Sequence, residues 1–465
     1  MTFGTTPRDA AQVRQVRQDT DPVWRRTPTG AIGLGTGVVV LAVGLLVGRA
    51  DVALLGVPLV LGAAWTGRPG APGARVATRE TTVRLTTADG PVVPGTLAAV
   101  LEVDPPGEAE TLQVRVAAPG HRTVDLVVAA APRRLDLRLA TVRTGPQPTF
   151  VADARGYGPG GATAEDPIRV GAPESLVLPA TMPLGRVPLP SRLRGLTGPH
   201  VSRRLGDGGD LRDVHPFTPG DRLRRIDWRT TARRSPDLDE LYVRRTYSTA
   251  EATTILVLDS RDDVGPDLRT WRGHGARRID EPTSLDLARH AAASVAKAVV
   301  DAGDRVGLED LGRRRRPLPA AGGRRQLRRL QHGLAMTSPL GSPQRRLRPP
   351  QLPADAIVYL FSTLLDDESL HLVRTWREEG HRVVVVDTLP AVRPVAEEHL
   401  RIAWRVTSME RDDRIAQMAA EGVLVVPWTG TERSRARARF EAKVRADERH
   451  HAAPVRLSGT TGAHR

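Results

Sequence analysis

Oxygen ligands gather at two places in this sequence. Asp259, Ser260, Asp262 and Asp263 follow the apolar run TTILVL, and Ser362, Thr363, Asp366 and Asp367 close and follow AIVYLF. Carboxylates and hydroxyls at that density suit a hard cation such as Mg²⁺. Arg261 stands inside the first group and brings a competing charge. The same residue types also cap helices and close turns, so a purely structural reading stands beside the metal one.

A second stretch, VHPFTPGDRLRRIDWRTTARR from Val214 to Arg234, holds two aspartates, a tryptophan and six arginines. Pro219 and Gly220 fit the central positions of a type II turn, with Gly220 supplying the positive φ. Asp221 is then placed to cap the segment that follows if that segment is helical. On such a helix Leu223 and Ile226 share a face, and Asp227 lies one turn from Arg224, close enough to pair with it. Arg225 and Arg229 share another face. These charges read either as an ion network clamping the segment or as a docking surface.

Other chemistries are excluded by absence. The chain has no cysteine, which removes disulfides, thiolate catalysis and cysteine-ligated zinc. No Walker A sequence, His-Glu-x-x-His or Gly-x-Ser-x-Gly occurs. The net charge is +15, and lysine occurs only at Lys297 and Lys443, so the basic charge is almost all arginine. Such a balance favours anionic surfaces: headgroups, acidic proteins or nucleic acid.

The elements that must position the acidic loops lie in residues 251–432. Apolar strands (TTILVLD, DRVGLEDL, DAIVYLFS, HRVVVVDT, VLVVPW) alternate with amphipathic helices over Ser284–Gly303, Gly323–Met336, Asp367–Gly380 and Arg414–Gly422. Strands that are apolar throughout belong to a mostly parallel sheet covered on both faces, a doubly wound α/β domain. Ligands of such sheets bind beyond the carboxyl ends of the strands, where both acidic groups fall.

Upstream, period-two runs with Leu112, Val114 and Val116, then Val124, Leu126 and Val128, then Leu135, Leu137 and Leu139 predict a small antiparallel β-sandwich over 75–145. Turns at Asp89-Gly90, Pro106-Gly107 and Pro119-Gly120 separate the runs. Residues 146–195 are rich in Pro and Gly and are expected to be a linker, 196–250 carry the arginine-rich stretch, and 433–465 read as a charged helix and disordered tail.

Residues 31–66 contain two apolar runs, AIGLGTGVVVLAVGLLV and VALLGVPLVLGAAW, joined by GRAD, with a polar tail over 1–30. The first would span about 25 Å as a helix. Arg14, Arg17, Arg25 and Arg26 precede the pair and Arg68, Arg75 and Arg79 follow it, with Trp65 at the boundary. The positive-inside rule then predicts a transmembrane hairpin with both ends in the cytoplasm, a multi-pass membrane location with the bulk of the chain cytoplasmic. A single span is the rival and would place the bulk outside.

The strand ending in Asp259, the helix after it and the FST loop at Phe361–Thr363 resemble a von Willebrand factor A domain. The upstream stretch resembles the bacterial domain of unknown function 58 family, whose pattern is Arg-x-Tyr-x-Pro-Gly-Asp, then Arg-x-Ile-Asp-Trp, a small residue and Ala-Arg. Here it is carried by Pro219, Gly220, Asp221, Arg224, Ile226, Asp227, Trp228, Thr231, Ala232 and Arg233, with His215 and Phe217 in place of the usual Arg and Tyr. The resemblance implies a membrane-tethered, non-enzymatic interaction protein. Its A-like domain would pair with a MoxR-type AAA+ ATPase in assembly or maturation of envelope or other protein complexes. It also implies a metal site of the form Asp-x-Ser-x-Ser with a Thr and a late Asp. This chain offers Asp259, Asp263 and Thr363 for it, with Arg261 and Asp263 at the Ser positions and Thr363 near the late Asp, so no cofactor is expected.

Two other function classes compete. A metal-dependent hydrolase would use the Asp/Ser/Thr cluster. A nucleic-acid module would use the basic region of Arg313–Arg316, Arg324, Arg325, Arg328, Arg329, Arg345, Arg346 and Arg348. With few aromatics and no recognised motif, that region reads better as a solvated or lipid-facing patch, and no nucleic-acid partner is expected. Oligomeric state is not legible.

Overall fold

The computed structural model describes residues 24–66, 81–88, 92–107, 109–172, 174–185, 187–193, 198–271, 277–312, 317–339, 349–428 and 433–451. Arg14, Arg17, Arg68, Arg75, Arg79, the Asp89-Gly90 turn, Arg313–Arg316, Arg345, Arg346, Arg348 and the side chains of Arg26 and Trp65 lie outside that description. The chain divides into two compact units: residues 1–141 with 146–177, and residues 142–145 with 178–465. The described residues form mixed α/β structure with eight α-helices.

In the first unit, α1 (Pro28–Leu46) and α2 (Ala50–Thr66) follow one another through a turn at Val47–Arg49. α1 is long and apolar enough to cross a membrane, whereas the apolar part of α2, Ala50–Ala64, is shorter. The helices touch through small residues: a Cβ on Gly44 would fall 2.3 Å from the Ala53 nitrogen, and one on Gly56 would fall 2.5 Å from the Gly37 oxygen. Only glycine permits that approach.

The rest of the unit is two antiparallel sheets around one core. Strands β1 (Thr82–Thr87), β2 (Thr96–Asp104) and β5 (Arg133–Ala140) form one sheet in the order β1-β2-β5. Strands β3 (Thr111–Ala117), β4 (Val124–Ala129), β6 (Val151–Tyr157) and β7 (Ile168–Gly171) belong to the other, where β6 pairs with both β3 and β7. Val83, Leu85 and Leu101 from the first sheet meet Leu112, Val114, Ala152 and Ala154 from the second.

The expected linker over 146–195 is therefore corrected. Its first half supplies β6 and β7, and Ala152 and Ala154 fill the inward positions of a central strand. Alanine gives too weak an apolar alternation to announce a strand, but small side chains suit a position facing an already filled sheet. The second half crosses the other unit in extended form. Met182 is buried there, its N–H donates to Ser294 Oγ at 3.0 Å, and Arg382 donates to the Leu189 carbonyl at 2.8 Å.

The second unit opens with a long irregular ribbon, β8 (His200–Pro216) against β9 (Tyr242–Ala250), whose register shifts three times. The connection between them holds a short 3-10 turn, Leu223–Arg225, and α3 (Trp228–Arg234). A six-stranded sheet follows: β10 (Thr253–Leu258), β11 (Arg305–Asp310), β12 (Leu318–Ala321), β13 (Ile357–Ser362), β14 (Arg382–Asp387) and β15 (Leu424–Pro427). Their order is β12-β11-β10-β13-β14-β15, parallel except for the edge strand β12.

Two apolar cores lie against this sheet. One gathers Ala288, Ala292 and Val295 of α4 (Ser284–Asp301), Leu330 and Leu334 of α5 (Gly323–Ala335), and Phe440 and Val444 of α8 (Arg433–His451). The other gathers Val373 and Trp376 of α6 (Glu368–Glu378) and Met418 of α7 (Glu398–Ala420). Alternate residues of one strand divide between them: Leu256 and Leu258 enter the first, Ile255 and Val257 the second. That is why these strands are apolar at every position. α7 begins well before the expected Arg414, because its first four turns are largely polar and show no periodic stripe. α8 is expected only as a charged tail helix, yet it docks Phe440 edge-on against Trp428 at 6.1 Å.

Candidate functional site

The strand order reverses at β10. From it the chain runs outward to β11, then crosses back to β13 on its other side. A crevice is expected between the carboxyl ends of two such neighbours, and Asp259 and Ser362 stand there. Arg261 fills it.

Arg261 is buried. Its Nε donates to Asp259 Oδ1 and its Nη2 to Asp259 Oδ2, both at 2.8 Å. The same guanidinium reaches across the sheet top to Asp366, with Nη1 at 2.7 Å from Oδ2 and Nη2 at 3.1 Å from Oδ1. Burial opposes its charge, but the hydrogen bonds and charge of Asp259, and then of Asp366, outweigh it and hold the pKa above the ordinary arginine value. Planar bidentate pairing of this kind is a property of arginine rather than lysine.

The neighbours are equally engaged. Asp259 Oδ2 also accepts from Ser362 Oγ at 2.8 Å, and Ser362 Oγ contacts Ser369 Oγ at 2.9 Å. Ser260 Oγ donates to Asp310. Asp263 turns away, accepting from Arg277 at 2.7 Å and from the Leu285 N–H in the first turn of α4 at 3.2 Å. The Thr363 carbonyl accepts from Arg411 Nε at 2.9 Å, and Arg411 also pairs with Asp387 at the end of β14 at 2.5 Å. Arg414 donates to Asp367. The three sheet-top loops are thus stitched together by arginines. Asp262 is the exception: burial first, then the charges of Asp259 and Asp366, push its carboxyl up to about 7, with Arg261 pulling the other way.

A divalent cation does not fit this donor set. The space between Asp259 and Asp366 holds a guanidinium, and Asp263 serves the α4 N-terminus instead of converging with Asp259. Among the described residues no three His, Asp or Glu side chains are arranged to hold a metal ion. Sequence reasoning noted Arg261 as a competitor. It could not see that the second carboxylate of the pair is Asp366, 105 residues away.

The arginine-rich stretch is built differently from the sequence expectation. The turn itself stands: Gly220 has φ +104°, and the Asp221 N–H donates to the Thr218 carbonyl at 3.0 Å. Asp221, however, does not cap a helix. It closes its own turn, accepting from the Thr218 N–H at 2.9 Å and the Thr218 hydroxyl at 2.8 Å, bonds that lower its pKa. The cap of α3 is Asp227, which accepts from the Thr230 N–H at 3.0 Å. That bond, with the charge of Arg244 at 3.5 Å, lowers the Asp227 pKa.

The expected Arg224–Asp227 pair does not form. Residues 223–225 wind as a 3-10 turn and stop at Ile226, whose extended backbone bridges Val243. Arg222, Arg224 and Arg225 converge instead on one carboxylate of the ribbon, Asp207. Arg225 also donates to the Gly206 carbonyl at 2.6 Å. Leu223 and Ile226 do not share a buried face, since Leu223 is 68% exposed.

α3 is pinned on one side and open on the other. Buried Thr231 accepts the Tyr242 N–H at 2.9 Å through its hydroxyl, and the Asp227 N–H donates to the Tyr242 carbonyl at 2.8 Å. The opposite side presents exposed Arg229 and Arg233, and Trp228, one turn before Thr231, is nonetheless 63% exposed. The aspartates of the stretch are therefore structural, and its tryptophan and last arginines face solvent.

The Val214–Arg234 stretch and the loops after β10 and β13 fall within residues 213–397, which match the family model described as Protein of unknown function DUF58; Asp207, Arg411 and Arg414 lie outside the match. The match ends before α7 and leaves α1, α2 and the β-rich unit outside it. No curated protein and no solved structure matches the chain.

Proposed function

We propose that this chain is a membrane-anchored, non-enzymatic interaction protein whose α/β domain, similar to a von Willebrand factor A domain, docks a MoxR-type AAA+ ATPase. In this reading α1 and α2 form a transmembrane hairpin with both ends in the cytoplasm. The docked pair serves assembly or maturation of envelope or other protein complexes. The observation that carries the reading is Trp228. A tryptophan left open on a short helix that also exposes Arg229 and Arg233 has the composition of an interface hot spot. Rigid support from Asp227 and Thr231 lowers the ordering cost of binding there. The hydrolase alternative is weakened by Arg261, which occupies the crevice where substrate and metal would have to meet.

The test is recovery of the partner. Tagged full-length chain extracted in mild detergent should bring down an AAA+ ATPase, and Trp228→Ala should lose it while keeping its melting temperature. Absence of any ATPase with the wild-type chain sinks the reading. Retention by Trp228→Ala moves the docking surface elsewhere.

A further inference from the structure

The helix α5 is charged against its own stability. It carries Arg324, Arg325, Arg328, Arg329 and His332 and no acidic residue. Arg324 and Arg325 sit in the first turn, where the helix dipole favours anions. Arg325, Arg328, Arg329 and His332 recur at helical spacing, so they line one face, and the three arginines repel one another. None of these four forms an ion pair among the described residues, and the arginines are exposed.

Beside that stripe lies a cavity of about 800 Å³, within the size range of small-molecule sites. Its other walls are mostly apolar, with Leu308 of β11, Leu318 of β12, Pro317 and Met336, and include Thr337 and Asp310. Gly333 lets α5 pack closely on this wall, since a Cβ there would meet Leu318 Cδ1 at 2.9 Å. The one acid in the lining, Asp310, is engaged by Ser260 Oγ and by the Gly312 N–H at 3.0 Å. The lining contains no Phe, Tyr or Trp on which a base could stack.

From this juxtaposition of an unpaired guanidinium row and an apolar cavity we infer an anionic phospholipid site. The lipid phosphate would lie against Arg325, Arg328 and Arg329, and the lipid's apolar body would enter the cavity. The inference rests on reading the chain as membrane-anchored. Tethering keeps anionic lipid at high local concentration around the domain, and lipid is the anion that carries its own apolar part.

Native mass spectrometry of the purified full-length chain in a nonionic detergent tests this. Phosphatidylglycerol and phosphatidylcholine of identical acyl chains are titrated in turn. The wild-type chain should retain phosphatidylglycerol at roughly tenfold lower lipid concentration or better, given the attraction of each arginine for an anionic headgroup. Arg325→Gln/Arg328→Gln/Arg329→Gln should abolish that preference with the melting temperature unchanged. Met336→Trp, which fills the cavity, should weaken phosphatidylglycerol retention while leaving the arginines in place. Equal retention of both lipids, or a preference untouched by the triple variant, overturns the site. Displacement of the lipid by millimolar inorganic phosphate, or by polyglutamate, makes it a plain anion or acidic-peptide site and also overturns it. Extraction of the chain from membranes by carbonate would instead defeat the anchor reading. The ATPase pull-down of the triple variant separates lipid binding from partner docking.

Discussion

Arg261 grips the carboxylate of Asp259, two residues before it, through both oxygens, each at 2.8 Å. A pair so close in sequence needs a sharp turn at the end of β10, and that turn lays the guanidinium across the mouth of the crevice between β10 and β13. The remaining N–H groups then catch Asp366 from the far loop. The positive charge that this arrangement of carboxylates calls for is thus supplied by the chain itself.

Removing that charge should be costly. Arg261→Met leaves Asp259 buried beside Ser362 with no cation, and breaking one side of a buried pair typically costs about 3–5 kcal/mol. The value here should fall toward the lower end, because Asp366 is half-exposed and can be rehydrated. Denaturant midpoints of the two proteins measure it. Asp259→Asn added to Arg261→Met should recover part of the loss, since the uncompensated charge is gone. A metal chelator should leave wild-type melting unchanged.

Asp262 gives the domain a pH dependence of unusual sign. Its carboxyl titrates near 7 in the folded chain against 3.8 for the free group. Between those values the folded state holds a proton that the unfolded state has released. Stability from this group is therefore full below about pH 4, falls as pH rises toward 7, and is flat above. The full shift corresponds to about 4 kcal/mol, and because Asp262 is only half-buried solvent screening should reduce the loss to about 1–3 kcal/mol. Unfolding curves at pH 5 and pH 8, for wild type and Asp262→Asn, isolate it: the difference between the proteins should change across the window and should not change between pH 8 and 9.

Much of the α/β sheet is legible in the sequence because its strands are buried on both sides, and runs such as VVVV at 383–386 admit little else. The ribbon strand β8 is not. RRLGDGGDLRD is polar and glycine-rich, and it is extended only because β9 pairs with it through three register shifts. The strand β6 hides for the opposite reason, since its inward residues are alanines. At the site, Pro219-Gly220 announces its turn through φ alone, a local property. Which aspartate caps the helix depends on Ile226 bridging Val243, a contact between segments. Local chemistry is readable, and the tertiary contact that redirects it is not.

The anchoring of α3 should be separable from its open face. Thr231→Ala removes the acceptor of the part-buried Tyr242 N–H; an unsatisfied buried donor costs about 1–3 kcal/mol, and the loss here should fall at the lower end. Thr231→Ser should keep most of that bond. Asp227→Ala should lower the melting temperature and Asp227→Asn much less, because asparagine also caps. Arg229→Ala and Arg233→Ala, on the exposed side, should leave melting unaltered.

The last prediction concerns which side of a membrane the α/β domain occupies. As a helix, α2 runs about 26 Å, short of a hydrocarbon core near 30 Å. It also carries Pro58, and Asp51 in its first turn. Two features favour insertion nevertheless. Gly37, Gly44 and Gly56 let it pack backbone to backbone on α1, and Arg49 pairs with Asp51 at 2.8 Å, so the turn enters with its charges matched. If both helices cross, the turn lies outside and the domain lies in the cytoplasm; if only α1 crosses, the domain lies outside. The chain has no native cysteine, so single introduced thiols report position without background. In intact cells a membrane-impermeant maleimide should label Val47→Cys, an exposed position of the turn, and should reach Leu205→Cys, an exposed position of the ribbon, only after lysis. Labelling of Leu205→Cys in intact cells would mean that α2 does not cross, and that a cytoplasmic ATPase could not meet Trp228.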